Sequence, residues 1–321
     1  MHPVIKTILE RIALGIATLF VVSLVIFSAI ELLPGDFSQV ILGQSATQAN
    51  MAAISKELGL DQPPHLRYLQ WIAGAIQGDL GTSFSGRNAS GVDRSREVVD
   101  LIAPRLSNTL FLASMTAIIA VPISLVLGVT SALYRNSVYD RSVNTATLTT
   151  ISFPEFFVAY ILILTLSSLW PIFPSLANVD SDTVLSERIY KSALPALTLT
   201  LVIVAHMMRM TRAAIINLLA SPYIQMARLS GASQSEIIIK HALPNAWAPI
   251  ATVIAFNLAY LVVGVVVVEV VFVYPGVGQL MVDAVSTRDI PVVQGCALIF
   301  AITYILSVSY THLTLPTILL V

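Results

Sequence analysis

Residues able to do covalent or metal chemistry are scarce in this sequence, and they do not converge. The five histidines (His2, His65, His206, His241 and His312) never fall at ligand spacing, so no metal site is expected. Met207, Met208 and Met210 beside His206 offer soft sulfur donors, but flexible thioethers packing between helices account for them. The sequence holds no glycine-rich phosphate loop, no Gly-x-Ser-x-Gly, no His-Glu-x-x-His and no Cys-x-x-Cys. Nucleotide binding by a phosphate loop, serine hydrolysis and zinc proteolysis are therefore excluded. The single cysteine, Cys296, cannot form an internal disulfide and sits in an apolar run as a small hydrophobe. No cofactor is expected in this chain, and it does not read as an enzyme.

One stretch does have chemistry in its spacing. "YIQMARLSGASQSEIIIKHALPNA", residues 223–246, is polar and lies between long apolar runs. Ser221 suits a helix N-cap, with Pro222 in the first turn, where its missing N–H costs nothing. Gly231 suits the left-handed position that ends such a helix. Ser233-Gln-Ser-Glu236 then matches a capping box, and Ile237 to Ile239 open a second helix that runs towards Pro244. The spacing predicts a helix–turn–helix with Arg228 and Gln225 flanking the turn. A solvated loop needs no such capping, whereas a rigid protrusion shown to a partner does.

The elements that must carry this protrusion are hydrophobic. Charged residues make up 11% of the chain and mean hydropathy is +0.83, against about 25% charged in an average globular domain. A net charge of −1 gives no footprint for a nucleic-acid partner. Apolar runs long enough to cross a bilayer core of about 30 Å predict an all-α polytopic membrane protein with about six transmembrane helices. They fall at 9–33, 107–133, 143–170, 193–216, 247–273 and 292–308. The first is longer than a signal-peptide core and lacks a small-residue cleavage site, so it reads as a retained anchor. Glu269, in Val-Val-Val-Glu-Val-Val near one end of the fifth span, needs a structural partner.

Lysine and arginine set the orientation. With the N-terminus inside, the inner segments hold Lys6, Arg11, Arg135, Arg141, Arg209, Arg212, Arg228 and Lys240, whereas the short outer loops hold Arg188, Lys191 and Arg288. The long outer segment, 34–106, is largely exempt from the rule. Within it Leu66, Leu69, Ile72, Ala73 and Ile76 fall at helical spacing, as in an amphipathic helix at the membrane interface, and Gly78 to Gly81 end it. Residues 85–91 are a loop by composition. The chain thus divides into 1–33 (N-terminal segment and first span), 34–106, a core at 107–308 containing the polar loop 217–246, and an uncharged, atypical tail at 309–321 that reads as a sequence artefact.

The polar stretch resembles the cytoplasmic loop signature of ABC-importer permeases: Glu-Ala-Ala, three residues, Gly, nine residues, Ile-x-Leu-Pro. Here Gln225, Met226 and Ala227 occupy the first positions, Gly231 the glycine, and His241-Ala-Leu243-Pro244 the last. "LGLDQPPHLRYLQWIAGAIQGDLGTSF" (58–84) and "VVVVEVVFVYPGVGQLMVDAVSTRDIPVVQG" (265–295) are similar to the peptide/nickel branch of that family, and "LSNTL" (106–110) and "LPALTL" (194–199) also fit. The resemblance implies the type I ABC importer permease fold in a bacterial or archaeal cytoplasmic membrane. It also implies a second, homologous permease, two ATPase subunits and an extracytoplasmic solute-binding protein as partners. The ATPase-coupling residues would be Ser221, Tyr223, Gln225, Ala227, Arg228, Gly231, Ala232, Glu236, Leu243 and Pro244. The solutes of that branch are dipeptides, oligopeptides, nickel chelates, glutathione and some oligosaccharides. Weakly polar residues in or near the spans (Thr150, Ser152, Met208, Asn257 and Gln294) are the expected lining of the path. A stand-alone secondary transporter or channel is the alternative, although no internal repeat supports it.

Overall fold

The computed structural model describes residues 3–32, 38–39, 46–57, 59–85, 95–180, 182–233 and 236–318. Among these the regular elements are helices: α1 (Pro3–Glu31), α2 (Gln48–Glu57), α3 (Pro64–Ile76), α4 (Val98–Leu133), α5 (Val138–Ser152), α6 (Glu155–Ile163), α7 (Leu185–Leu219), α8 (Pro222–Leu229), α9 (Leu243–Gly264), α10 (Val266–Val271), α11 (Val277–Thr287) and α12 (Ile290–Ile318). Two π-helical turns join them, Leu164–Leu169 after α6 and Ile237–Ala242 before α9. Among the described residues five segments are long and apolar enough to cross a membrane, or six if α5 and α6 with its π turn count as one broken span.

That broken pair lies at the span expected at 143–170. The two halves are bent by 100°. Pro154 is the cause: Phe153 before it is extended, at φ −95° and ψ 138°, and the proline brings no N–H to continue the ladder. The polar fourth span, by contrast, is one unbroken helix, α7, running through Pro195. The sixth helix, α12, continues beyond 308 into the tail, as far as Ile318.

The chain folds as two compact units. One comprises residues 1–12, 110–274 and 306–321. Its core packs Leu112, Leu194, Ile203, Met207, Leu261, Val268 and Phe272, with α5, α6, α9 and α10 all laid against α7. At Gly128 helix α4 comes so close to α7 that an added Cβ would lie 2.8 Å from Thr211 Cβ and 2.9 Å from the Met208 carbonyl oxygen. Hydroxyls inside these helices bond the carbonyl one turn back, as Thr116, Ser124, Thr147, Thr198 and Thr252 do. That arrangement lets a polar side chain sit in an apolar setting without an open donor.

The other unit comprises residues 13–109 and 275–305. Here α3 rests on α1: Ser23 and Tyr68 hydroxyls meet at 2.9 Å, and Phe27 contacts both Tyr68 and Trp71. Arg67 is salt-bridged to Glu31. The expected amphipathic helix is present, but its packed face is Tyr68 and Trp71, whereas Leu66, Leu69 and Ile76 point outward. The large aromatic rings fill the contact with α1, and the aliphatic stripe stays exposed. Gly78, at φ +85°, ends α3 as expected, with Asp79 N–H bonded to the Gly74 carbonyl. Asp289 accepts backbone N–H groups of Phe84 and Ser85 and the Ser83 hydroxyl, fixing that segment. Of the expected loop at 85–91, only Ser85 lies within the described residues.

Candidate functional site

The polar stretch folds as its caps require. α7 ends at Leu219, and after Ala220 and Ser221 the chain turns into α8 with Pro222 in the first turn. Ser221 holds the N-cap position with extended backbone, but its hydroxyl donates to the Leu218 carbonyl at 2.6 Å rather than capping α8. The preceding helix end has an open acceptor within reach of the hydroxyl, and that acceptor wins it. The C-terminal end of α8 is a complete Schellman motif: Gly231 N–H bonds the Arg228 carbonyl at 3.0 Å, and Ala232 N–H the Ala227 carbonyl at 3.2 Å. Gly231 supplies the left-handed turn at φ +86°.

The capping box follows. Glu236 N–H donates to the Ser233 hydroxyl at 3.2 Å, and the Glu236 carboxylate accepts from the Ser233 backbone. Gln234 and Ser235 lie outside the described residues. Lys240 Nζ stands 2.7 Å from Glu236 Oε1, and this hydrogen bond holds the carboxyl below its ordinary range. The second helix begins as the π turn Ile237–Ala242, not as a regular α-helix, and passes into α9 at Leu243 and Pro244. Such turns insert one extra residue into a helix and recur at functional sites.

Under this helix pair lies a small core of Ile224, Ile237 and Ala242, joined by Leu218, Leu219, Ala227 and Ala232. Ala227 and Ala232 are therefore packing residues. Tyr223, Gln225, Met226, Arg228 and Leu229 point outward, Leu229 with 82% of its surface exposed. A helix of eight residues with its apolar tips in the open presents a ready surface for another protein. Nothing within 4 Å would meet a side chain at Gly231.

The other expected residues are dispersed. Thr150 and Ser152 spend their hydroxyls on Ala146 and Leu148, and Asn257 donates to the Val253 carbonyl at 2.8 Å. Met208 is fully buried in the first unit. Gln294 belongs to the second unit, where it lines a cavity of about 360 Å³ with Glu31, Arg67 and Trp71. Glu269 is fully buried and close enough to Tyr274 for their charges to interact.

A stronger polar site escaped the sequence. Arg212 on α7 makes a two-pronged salt bridge to Asp140 on α5, at 2.8 and 2.7 Å. The same carboxylate accepts from Ser131, Asn136 N–H and Asn144. The partners stand 72 residues apart, and no local pattern announces such a pair.

These features have a known setting. Residues 124–314 match the family model described as "Binding-protein-dependent transport system inner membrane component", and residues 4–113 match that of its N-terminal part. The chain belongs to this family. It is 35% identical over 302 residues to a protein of Salmonella paratyphi A named "Glutathione transport system permease protein GsiC", covering 93% of this chain and 92% of that one. The protein of the same name from Escherichia coli O6:H1 is 36% identical over 299 residues, with the same coverage. The chain is accordingly the membrane permease subunit of an ABC importer, located in the inner membrane and working with a binding protein and a separate ATPase. A stand-alone carrier or channel is not favoured.

Proposed function

We propose that this permease carries glutathione or other short peptides inward, and that residues 221–237 couple it to ATP hydrolysis. The observation that carries the coupling role is the protrusion itself: a doubly capped helix pair, seated on its own small core, with Tyr223, Met226 and Leu229 turned outward. In this reading α8 sits in a cleft of an ATPase subunit, and Arg228 and Gln225 meet polar groups at its rim. The charge count supports a cytoplasmic location for this side and for the N-terminus. In this reading a second, homologous permease completes the path. The names of the relatives support the substrate class.

The test exploits the open space at Gly231. Gly231→Ala and Gly231→Trp both incur the left-handed backbone cost of about 1–2 kcal/mol, but only tryptophan adds bulk towards a partner. The alanine variant is expected to co-purify with the ATPase. The tryptophan variant is expected to insert normally, to lose the ATPase, and to lose ATPase stimulation by loaded binding protein. Normal stimulation in the tryptophan variant would refute the coupling role. Uptake of labelled glutathione by vesicles holding the whole transporter tests the substrate separately.

A further inference from the structure

Helix α7 crosses the membrane with too few apolar residues. Its stretch without lysine, arginine or acid, residues 192–208, spans about 26 Å at 1.5 Å per residue, short of a hydrocarbon core of about 30 Å. Charges at one end or the other must therefore lie at membrane depth. At the N-terminal end they are occupied: Lys191 pairs with Glu187 at 2.9 Å, and Arg188 lies 4.1 Å from the centre of the Phe111 ring. At the C-terminal end Arg212 is neutralised by Asp140. His206 and Arg209 have no hydrogen-bond or ionic partner among the described residues, and both are exposed.

They are exposed into a cavity. Asn144 and Leu148 of α5 face His206, Arg209, Met210, Arg212 and Ala213 of α7 across a volume of about 520 Å³. The helix cannot roll to hide them. Its opposite face is fixed at Gly128, where Met208 and Thr211 touch α4. A cation at membrane depth with no counter-charge calls for water or an anionic ligand. The cavity is large enough for a small peptide; no carboxylate lines it among the described residues, and the nearby Asp140 is consumed by Arg212. A guanidinium presents a planar fork of donors matched to a carboxylate.

We propose that Arg209, with His206 beside it, forms a station for carboxylate groups within the membrane-spanning unit, so that the importer selects solutes bearing a free carboxylate. Asn144 supplies a neutral hydrogen-bonding wall, and the Arg212–Asp140 pair ties the two helices together beside it. The substrate part of this inference rests on the peptide reading above; the electrostatic part does not.

The first experiment needs no substrate. Ala213→Cys is introduced into the assembled transporter, where the native Cys296 is buried, and Leu148→Cys serves as a second reporter from the other wall. Each is treated with methanethiosulfonates of equal size, one a sulfonate and one a quaternary ammonium. Relative to a free thiol, the anionic reagent should be favoured about tenfold. Arg209→Gln should erase that preference and Arg209→Lys should keep it. An unlabelled pair of reporters, meaning a face covered by a partner subunit, would overturn the station, as would a preference that survives Arg209→Gln. The second experiment compares uptake of glutathione and its diamide, in which both carboxylates are blocked, by wild type and Arg209→Gln. Selection for the acid should fall about tenfold with the arginine removed, and equal loss for both solutes would reject a carboxylate role. If wild type imports neither, the substrate reading fails while the labelling result still decides the station.

Discussion

A β-branched side chain at positive φ is a strained choice, and Val273, at φ 52°, makes it directly after α10. The backbone there is a Schellman turn, with Val273 N–H on the Val270 carbonyl and Tyr274 N–H on the Glu269 carbonyl. Glycine fits that position without a Cβ clash. Val273→Gly should raise stability by up to about 1 kcal/mol, read as a higher unfolding midpoint in detergent. Next to it Glu269 is fully buried and engaged within the fold. Glu269→Gln preserves hydrogen-bonding capacity and should leave transport largely intact, whereas Glu269→Leu should impair assembly or gating. Abolished uptake in a normally expressed glutamine variant would assign the charge itself a role. Asp140 carries heavier consequences, because five hydrogen bonds from four residues converge on one carboxylate that is 3% exposed. Asp140→Ala strands Arg212 and should destabilise the protein by about 3 kcal/mol or more, measured by thermal aggregation.

At the scale of elements, what the sequence discloses depends on the range of the interaction. The turn at Gly231 and the box at Ser233 and Glu236 are satisfied within a few residues, so residue types at fixed offsets reveal them. The same holds for Gly78 at the end of α3. Hydropathy reports only that a segment avoids water, and the strongly apolar α6 carries the more polar α5 across the break at Pro154 when the two are averaged as one span. The proline itself was visible; its priority over hydropathy was not. Which face of α3 packs inward was decided by α1, through Phe27 and Ser23, and no pattern within α3 contains that choice. The crossing of α4 and α7 at Gly128 is likewise a long-range fact. Gly128→Ala should cost about 1–3 kcal/mol through overpacking against Thr211 and the Met208 carbonyl, and Gly128→Leu more. Unchanged melting of both variants would show that the helices part easily.

For the molecule as a whole, orientation is the property on which the coupling reading depends. A cysteine at Lys240 should react only from the cytoplasmic face and one at Asp79 only from the opposite face; external labelling at 240 would invert the topology. Reconstituted without its ATPase, the permease should move no solute down a gradient, since a carrier or channel alone would. Thiol labelling of this kind is informative because of where the native sulfur lies. Cys296 is fully buried in α12. A protein of the inner membrane faces a reducing compartment on one side and an oxidising one on the other. With its only sulfhydryl closed to both, this subunit should respond to neither glutathione poise nor disulfide catalysts. A thiol-bearing cargo would not exchange with it, and any thiol-dependent change of import under oxidant should then originate in a partner subunit.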